Sequence, residues 1–239
     1  MTSLFFTKKR RKIKNTRNGY HFNSPYWQNY KKTLPKLPQD CFETAVGMIL
    51  GDATMYYVSH NALIKFEQGV KQKEFLFHLL DLFSRYCFMS EPGIRFEKDQ
   101  SVKSYWFKTF SFPDFTDLFF LFVQKMNEKW KKTIRKGLIR DYLTPKGLAY
   151  WIMCDGSLQK DKLTLILHTQ SFSLQENTLL ATELNKKFHL HSRVISHKTH
   201  YYVIEIPRHD SETLVALVEK YLIPSMLYKL PKSKFKKVC

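Results

Sequence analysis

Two aspartates stand out through their surroundings. Asp52 closes the run FETAVGMILGDAT (residues 42–54), and Asp155 closes PKGLAYWIMCDGS (residues 145–157), so each half of this 239-residue chain owns one. Each run is apolar, has helical character, and places a small residue directly after its acid. A carboxylate at a helix C-terminus sits against the macrodipole, where a cation is preferred. A divalent cation bound there resolves the conflict, because it satisfies the carboxylate together with the orphan carbonyls of the last turn. Two aspartates, backbone oxygens and phosphate oxygens make a hard-oxygen site suited to Mg²⁺. Ions at a phosphodiester can activate water and stabilise the leaving oxygen. A duplicated helix with one acid per copy suggests a two-fold site, and in a chain this basic, a duplex substrate.

The charge supports that substrate class. There are 39 Lys and Arg against 21 Asp and Glu, a formal +18, which is the electrostatic footprint of a protein that releases counterions from a polyanion. Solubility alone is better served by acidic excess. Apolar residues at 44%, with only 8 Gly and 9 Pro, describe a folded chain with filled cores and not a disordered one. Cys41, Cys87, Cys154 and Cys239 are far apart and form no CxxC, so neither a zinc knuckle nor a disulfide framework is expected. His189, His191, His197 and His200 match no standard zinc spacing; they are read as structural or phosphate-facing. No apolar run approaches ~18 residues, which excludes a membrane-spanning helix. The expected class is a soluble, reduced, polyanion-binding protein.

The elements that must position the acids can be read in parallel. Asp40 and Glu43 form a candidate capping box that opens a helix to about Asp52. Thr144 as N-cap and Pro145 in the first turn open the second helix, to about Asp155, with Gly156 as its stop. Ala45, Gly47, Gly51, Ala149 and Cys154 are small, so the two helices can approach backbone to backbone; the steric precedent lies in membrane helices. Strand pairs follow: MYYVS with ALIKFEQ, and SLQ with LTLILHTQ. Amphipathic helices come next, KEFLFHLLDLFSRY and ENTLLATELNKKF, then the strand regions SYWFKTFSF and HYYVIEIP. FTDLFFLFVQKM and SETLVALVEKYL close the halves as helices. The order is α-β-β-α-β-β-α, twice, and the alternation in residues 201–206 predicts a sheet with one buried and one wet face. The expected division is a basic arm over 1–38, a first half over 39–124, a linker over 125–143 and a second half over 144–239. By composition the arm's first ~20 residues fit a transit peptide and equally a flexible arm lying along DNA or RNA.

The stretches VGMILGDA and LAYWIMCDG resemble the signature of the LAGLIDADG homing endonucleases, and the single-chain, double-motif arrangement resembles the monomeric members. YLTPKGLAYWIMCDGS, LILHTQSFS and YLIPSMLYKLP in the second half strengthen the likeness, which covers roughly residues 38–232 and not the basic arm. The resemblance implies an α+β fold of two pseudo-symmetric αββαββα halves, each offering a saddle-shaped antiparallel sheet to the DNA major groove. It implies a monomeric, Mg²⁺-dependent endodeoxyribonuclease, with Mn²⁺ able to substitute, that cuts both strands of a specific site and leaves short 3′ overhangs. It further implies intron homing, in a mitochondrion or chloroplast.

By the same resemblance Asp52 and Asp155 bind metal, with the carbonyls of Gly51 and Cys154 as additional ligands. Cys154 stands where relatives often carry another acid. Lys132 and Lys229 are the basic residues expected beside the two scissile phosphates, where they can stabilise charge on the phosphorane oxygens. On local sequence alone Lys132 reads as a solvated residue of a basic helix. Lys229, isolated in LIPSMLYKLP, needs a partner. Glu67, Gln68 and Gln170 either organise water beside the site or cap the strand-to-helix junctions. Readout is expected from the wet strand faces, through Tyr57, Ser59, Lys65, Lys103, Lys108, Gln159, Lys162, His168, Arg193, Lys198, His200 and Tyr202. A one-residue register error would turn any of them inward. The competing functions are a group I intron maturase that binds intron RNA on the same scaffold, and a DNA-binding protein without catalysis. Both motif acids and both lysines are more than a maturase needs.

Overall fold

The two motif runs form helices that lie side by side from start to end. In this computed structural model, which describes residues 19–198 and 201–232, they are α2 (Gln39–Leu50) and α6 (Pro145–Asp155). α6 begins as its sequence predicts, with Thr144 Oγ1 accepting from the Gly147 amide at 3.2 Å and Pro145 in the first turn. α2 does not use the expected capping box. It begins after Pro38 with no side-chain cap; the Asp40 carboxylate pairs instead with Lys146, at the start of the other motif helix. A carboxylate in the first turn still complements the dipole, and the cross-pairing joins the two helix starts. Gly156 does follow α6, but in an extended conformation and not the left-handed one of a typical stop. A Cβ there would stand 2.5 Å from the Ile152 carbonyl oxygen, so close approach explains the glycine.

Further along, the helices touch through their backbones. A Cβ on Gly47 would lie 2.0 Å from the carbonyl oxygen of Gly147, and one on Gly51 would lie 2.6 Å from Cys154 Cβ. Gly147, which the small-residue reading left out, is therefore the partner that lets Gly47 approach. The flanking Val46, Met48, Ile49, Trp151, Ile152 and Met153 are fully or almost fully buried. The interface between halves is thus continuous with the core.

Each half carries one antiparallel sheet. The first contains β1 (Thr54–Val58), β2 (Asn61–Gly69), β3 (Gly93–Phe96) and β4 (Val102–Lys108), in the order β1-β2-β4-β3. α3 (Lys73–Leu82) and α4 (Pro113–Phe122) cover its apolar face with Phe75, Leu76, Phe115, Leu118 and Phe119. The second contains β7 (Gly156–Leu158), β8 (Leu165–Leu167), β9 (Arg193–Lys198) and β10 (Tyr201–Ile206), in the equivalent order β7-β8-β10-β9. α7 (Leu174–Phe188) and α8 (Ser211–Val218) belong to this half, and α7 opens on a formed capping box between Ser173 and Glu176. The α+β architecture of two αββαββα halves is as expected.

Two stretches hold more structure than the sequence announced. Residues 123–126, expected to finish α4, leave the helix as β5 (Val123–Met126) and pair with β6 (Lys129–Lys132). Asn127 and Glu128 make the turn with φ of 45° and 62°, the handedness that suits a two-residue hairpin. With α5 (Leu138–Tyr142), this hairpin fills the stretch expected to link the halves. Within the stretch expected as an arm, α1 (Pro25–Lys32) packs Trp27 against Phe110, and Trp27 is 2% exposed. Residues 1–18, with most of the basic run, lie outside the described part. No helix among the described residues is long and apolar enough to cross a membrane.

Candidate active site and nucleic-acid interface

The parallel course of α2 and α6 brings their C-terminal ends together. Asp155 is the last residue of α6, and a Cβ built on Gly51 would stand 3.4 Å from its Oδ2. Asp52 follows Gly51 and accepts a hydrogen bond from Gln68 Nε2 at 3.2 Å. Burial, and then the charge of Asp52, push the Asp155 carboxyl up to about 7, while Lys132 and Lys229 pull it down. A second carboxylate in a half-dry place is costly unless a cation arrives.

Two lysines serve the two helix ends in the same way. Lys132, at the end of β6, donates to the carbonyls of Leu50 and Gly51 at 3.2 and 3.3 Å. Lys229, from the 3-10 turn Pro224–Lys229, donates to those of Met153 and Cys154 at 2.5 and 2.7 Å. Each ammonium thus satisfies carbonyls that the helix leaves orphaned and supplies the charge that a helix C-terminus prefers. Burial lowers Lys132 to about 8 and lowers Lys229 as well. Lys132 is not the solvated residue of a basic helix; the hairpin delivers it. Lys229, 7% exposed, has the partners its apolar surroundings demand.

The donor set fits a hard divalent cation. Asp52, Asp155 and the carbonyls of Gly51 and Cys154 offer only oxygen, and the raised Asp155 reflects burial and then the charge of Asp52, both of which a cation would offset. The Cys154 thiol takes no part: burial drives it well above its ordinary value, and Sγ lies 3.3 Å from Met48 Sδ, in the core. Cys154 could bind only through its carbonyl. Replacing Lys229 with the similarly shaped Met should leave DNA affinity within a few-fold. If Lys229 serves a scissile phosphate, as the resemblance implies, cleavage should slow by about 10²-fold or more, as when one donor to a developing oxyanion is removed. Single-turnover rates with the protein in saturating excess over DNA would measure this, and an unchanged rate would remove Lys229 from the chemistry.

Register decides which other candidates face outward. On the first sheet Thr54 pairs with Lys65 and Lys65 with Lys108, while Glu67 pairs with Trp106; these share the face away from the helices. Tyr57 pairs with the buried Ala62 and packs on Phe119, Phe120 and Trp130, so it lies on the α4 side of the sheet, at an edge that leaves it 37% exposed. Its neighbour Tyr56 takes the outer place, with Lys108 Nζ 5.3 Å from its ring centre. Lys103 sits at a β-bulge, skipped between the pairs Arg95–Ser104 and Phe96–Val102, and its ammonium pairs with Glu97 at 3.0 Å. The place of Tyr57 follows from the period-2 pleat, where one residue reverses the face, and that of Lys103 from the bulge, which breaks the alternation. Ser59 sits in the β1–β2 turn with φ 59°. Glu67 belongs to the outer face, held by Lys65, by Ser104 Oγ at 2.6 Å and by Arg95 at 3.2 Å, and it makes no hydrogen bond to Asp52. Gln68, on the buried face, does. Neither residue caps a helix.

On the second sheet, Ser157, Ile166, Glu205 and Arg193 share the outer face. Glu205 receives Gln159 Nε2 at 3.2 Å and Arg193 Nε at 2.7 Å. His168 Nε2 lies 2.7 Å from Ser157 Oγ, and Gln170 Nε2 lies 3.1 Å from His168 Nδ1. Gln170 therefore orients His168 and does not mirror Gln68. Tyr202 pairs with Ser196 on the face of Ile204, the covered side, one residue out of phase with the expected wet face. Lys162 occupies the β7–β8 turn with φ 57°. Lys198 ends β9, with its side chain undescribed, and His200 lies outside the described residues. Tyr56, Arg95, Trp106, Ser157 and Glu205 are outer-face residues that the sequence reading missed; correct strand register was the signal that would have found them.

A profile described as the LAGLIDADG DNA endonuclease family matches residues 42–214. The chain is 34% identical over 218 residues to "Probable intron-encoded endonuclease 1" of Wickerhamomyces canadensis, covering 87% of this chain and 91% of that one. It is 47% identical over 134 residues to "Probable intron-encoded DNA endonuclease 3" of Mycosarcoma maydis, covering 56% of this chain and 98% of that one. Among solved structures, the homing endonuclease I-WcaI bound to its DNA recognition sequence is similar, with a TM-score of 0.79 and 32% identity, covering 89% and 95% of the two chains.

Proposed function

Because this chain belongs to the LAGLIDADG DNA endonuclease family, we propose that it cuts both strands of one specific DNA site as a monomer, with one motif aspartate serving each strand. The observation that carries this reading is the equivalence of the two helix ends: each presents an aspartate, and each has a buried lysine on the carbonyls of its last turn. A DNA-binding protein without catalysis, or a maturase, has no use for both pairs. Asp52, Asp155 and the carbonyls of Gly51 and Cys154 would hold a divalent cation, Mg²⁺ with Mn²⁺ as substitute, which supplies Lewis acidity toward the phosphate and activates water. Lys132 and Lys229 would place positive charge where the phosphorane develops it. Gln68 fixes the Asp52 carboxylate through its amide. The outer sheet faces, with Lys65, Lys108 and Arg193, would grip the groove and its phosphates. Intron homing in an organelle is the setting we infer.

A supercoiled plasmid carrying the joined flanking exons of the host gene should be linearised when Mg²⁺ is added and left intact in EDTA. Intact plasmid under both conditions, with the joined exons present, would overturn the reading. The pH profile has a definite shape. Asp155, raised to about 7, must shed a proton before it can hold a cation. At subsaturating Mg²⁺ the rate should therefore climb about tenfold per pH unit below 7 and then level. It should fall again above about 8 as Lys132 loses its charge. The sign for stability is opposite on the acid side. Between about 4 and 7 the folded state binds more protons than the unfolded one, so the metal-free fold weakens as pH rises through that window. Denaturant melts across that range, without metal, check it.

A further inference from the structure

We propose that His191, His209 and Asp210 form a second metal site, on the second half and distinct from the paired aspartates, that takes Zn²⁺ or a similar transition ion. His191 lies in the connection between α7 and β9, and His209 and Asp210 lie in the 3-10 turn Arg208–Asp210 that precedes α8. One ligand atom from each residue falls within 4.8 Å of the other two. His191 Nδ1 is 2.9 Å from Asp210 Oδ1, and His209 Nε2 is 3.8 Å from the same oxygen. Donor atoms around a tetrahedral zinc ion with bonds of ~2.1 Å stand about 3.4 Å apart, so these separations bracket what a shared ion requires.

Three further observations set the cluster apart from an ordinary His–Asp pair. Asp210 occupies the N-cap position of α8, yet its side chain makes no cap hydrogen bond. Its carboxylate, only 4% exposed, is turned toward the histidines, where Oδ2 accepts from the His191 backbone amide at 2.6 Å. A simple pair accounts for His191 alone. The His209 ring stands beside that of His191, with centroids 5.1 Å apart, and is too far from the carboxylate for a hydrogen bond; an ion would use both rings. Two imidazoles and one carboxylate favour zinc, cobalt or nickel, in contrast to the all-oxygen set at Asp52 and Asp155, which favours magnesium. Both rings are largely open to solvent, which leaves the fourth position to water or another ligand, as in zinc sites with three protein ligands. The ion would pin the start of β9 to the start of α8.

The test uses the full chain, without an oligohistidine tag, carrying Asp155→Asn so that the paired-aspartate centre does not compete. Zn²⁺ binding is followed by calorimetry and Co²⁺ binding by its visible absorption. One equivalent should bind, and His209→Ala and His191→Ala should each weaken it by tenfold or more. His209→Ala is the safer variant for folding, because no hydrogen bond in the cluster depends on that ring, and Zn²⁺ should raise the melting temperature of its parent but not its own. Absence of binding at micromolar Zn²⁺, or less than tenfold weakening in His209→Ala, would overturn the site.

Discussion

The Asp155→Asn protein is expected to bind its DNA site, to lose cleavage, and to be more stable than its parent at pH 8. Asn preserves the shape of Asp but removes the charge and one acceptor for a cation. Losing a metal ligand at the reacting phosphate should slow double-strand cleavage by about 10³-fold, about 4 kcal/mol of barrier. Stability should move the other way. Burial and the neighbouring Asp52 raise the Asp155 carboxyl from 3.8 to about 7, so holding it ionised at pH 8 in the metal-free protein costs on the order of a few kcal/mol. The neutral amide escapes that cost, and the metal-free protein should melt roughly 5 °C or more higher. Asp52→Asn should lose as much activity, and it would also disturb the hydrogen bond from Gln68. Cleavage at the parental rate would refute the role of Asp155. A lower melting temperature for Asp155→Asn would refute the electrostatic account of the site.

Gly47→Ala should be the most damaging small substitution in the chain. The added carbon would stand 2.0 Å from the Gly147 carbonyl oxygen, and that oxygen is backbone, which cannot swing aside. Relief requires α2 and α6 to move apart along their whole contact. Overpacking a rigid site costs typically 1–3 kcal/mol and sometimes more; a cost of about 3 kcal/mol would lower the melting temperature of a protein this size by about 6–12 °C. The same movement would separate Asp52 from Asp155, so the fraction that remains folded should cut poorly. Gly69→Ala is the control. No heavy atom lies within 4 Å of its added carbon and its φ is ordinary, so it should melt within a degree or two of the parent. Equal effects at the two positions would show that helix contact does not limit stability.

How far the chain could be read in advance depended on the range of the interaction involved. Thr144 and Pro145 announce the start of α6 because capping is settled within one turn. Asp40 looked like the same kind of signal and was not, since Lys146 reaches it from the other half and a local rule cannot include a remote competitor. Tyr57 and Tyr202 lie on the other sheet face for a different reason: alternation is legible, but its phase is set by the partner strand, while Lys103 sits at a β-bulge that no local pattern announces. The hairpin that carries Lys132 reads locally as the end of a helix and a linker, because Val123–Met126 continues an apolar run and becomes a strand only by pairing with Lys129–Lys132.

The sequence by itself determined the duplicated motif, the element order of both halves, the acid at each helix end and the basic surface, all of which are local patterns or sums over residues. Only the tertiary structure decided that Gly147 meets Gly47, that a buried lysine sits on the last carbonyls of each motif helix, which strand face is wet, and that His191 meets His209 and Asp210. Each of these depends on the separation of groups remote in the chain. Packing and strand register fix such separations, and no single stretch of sequence contains both partners.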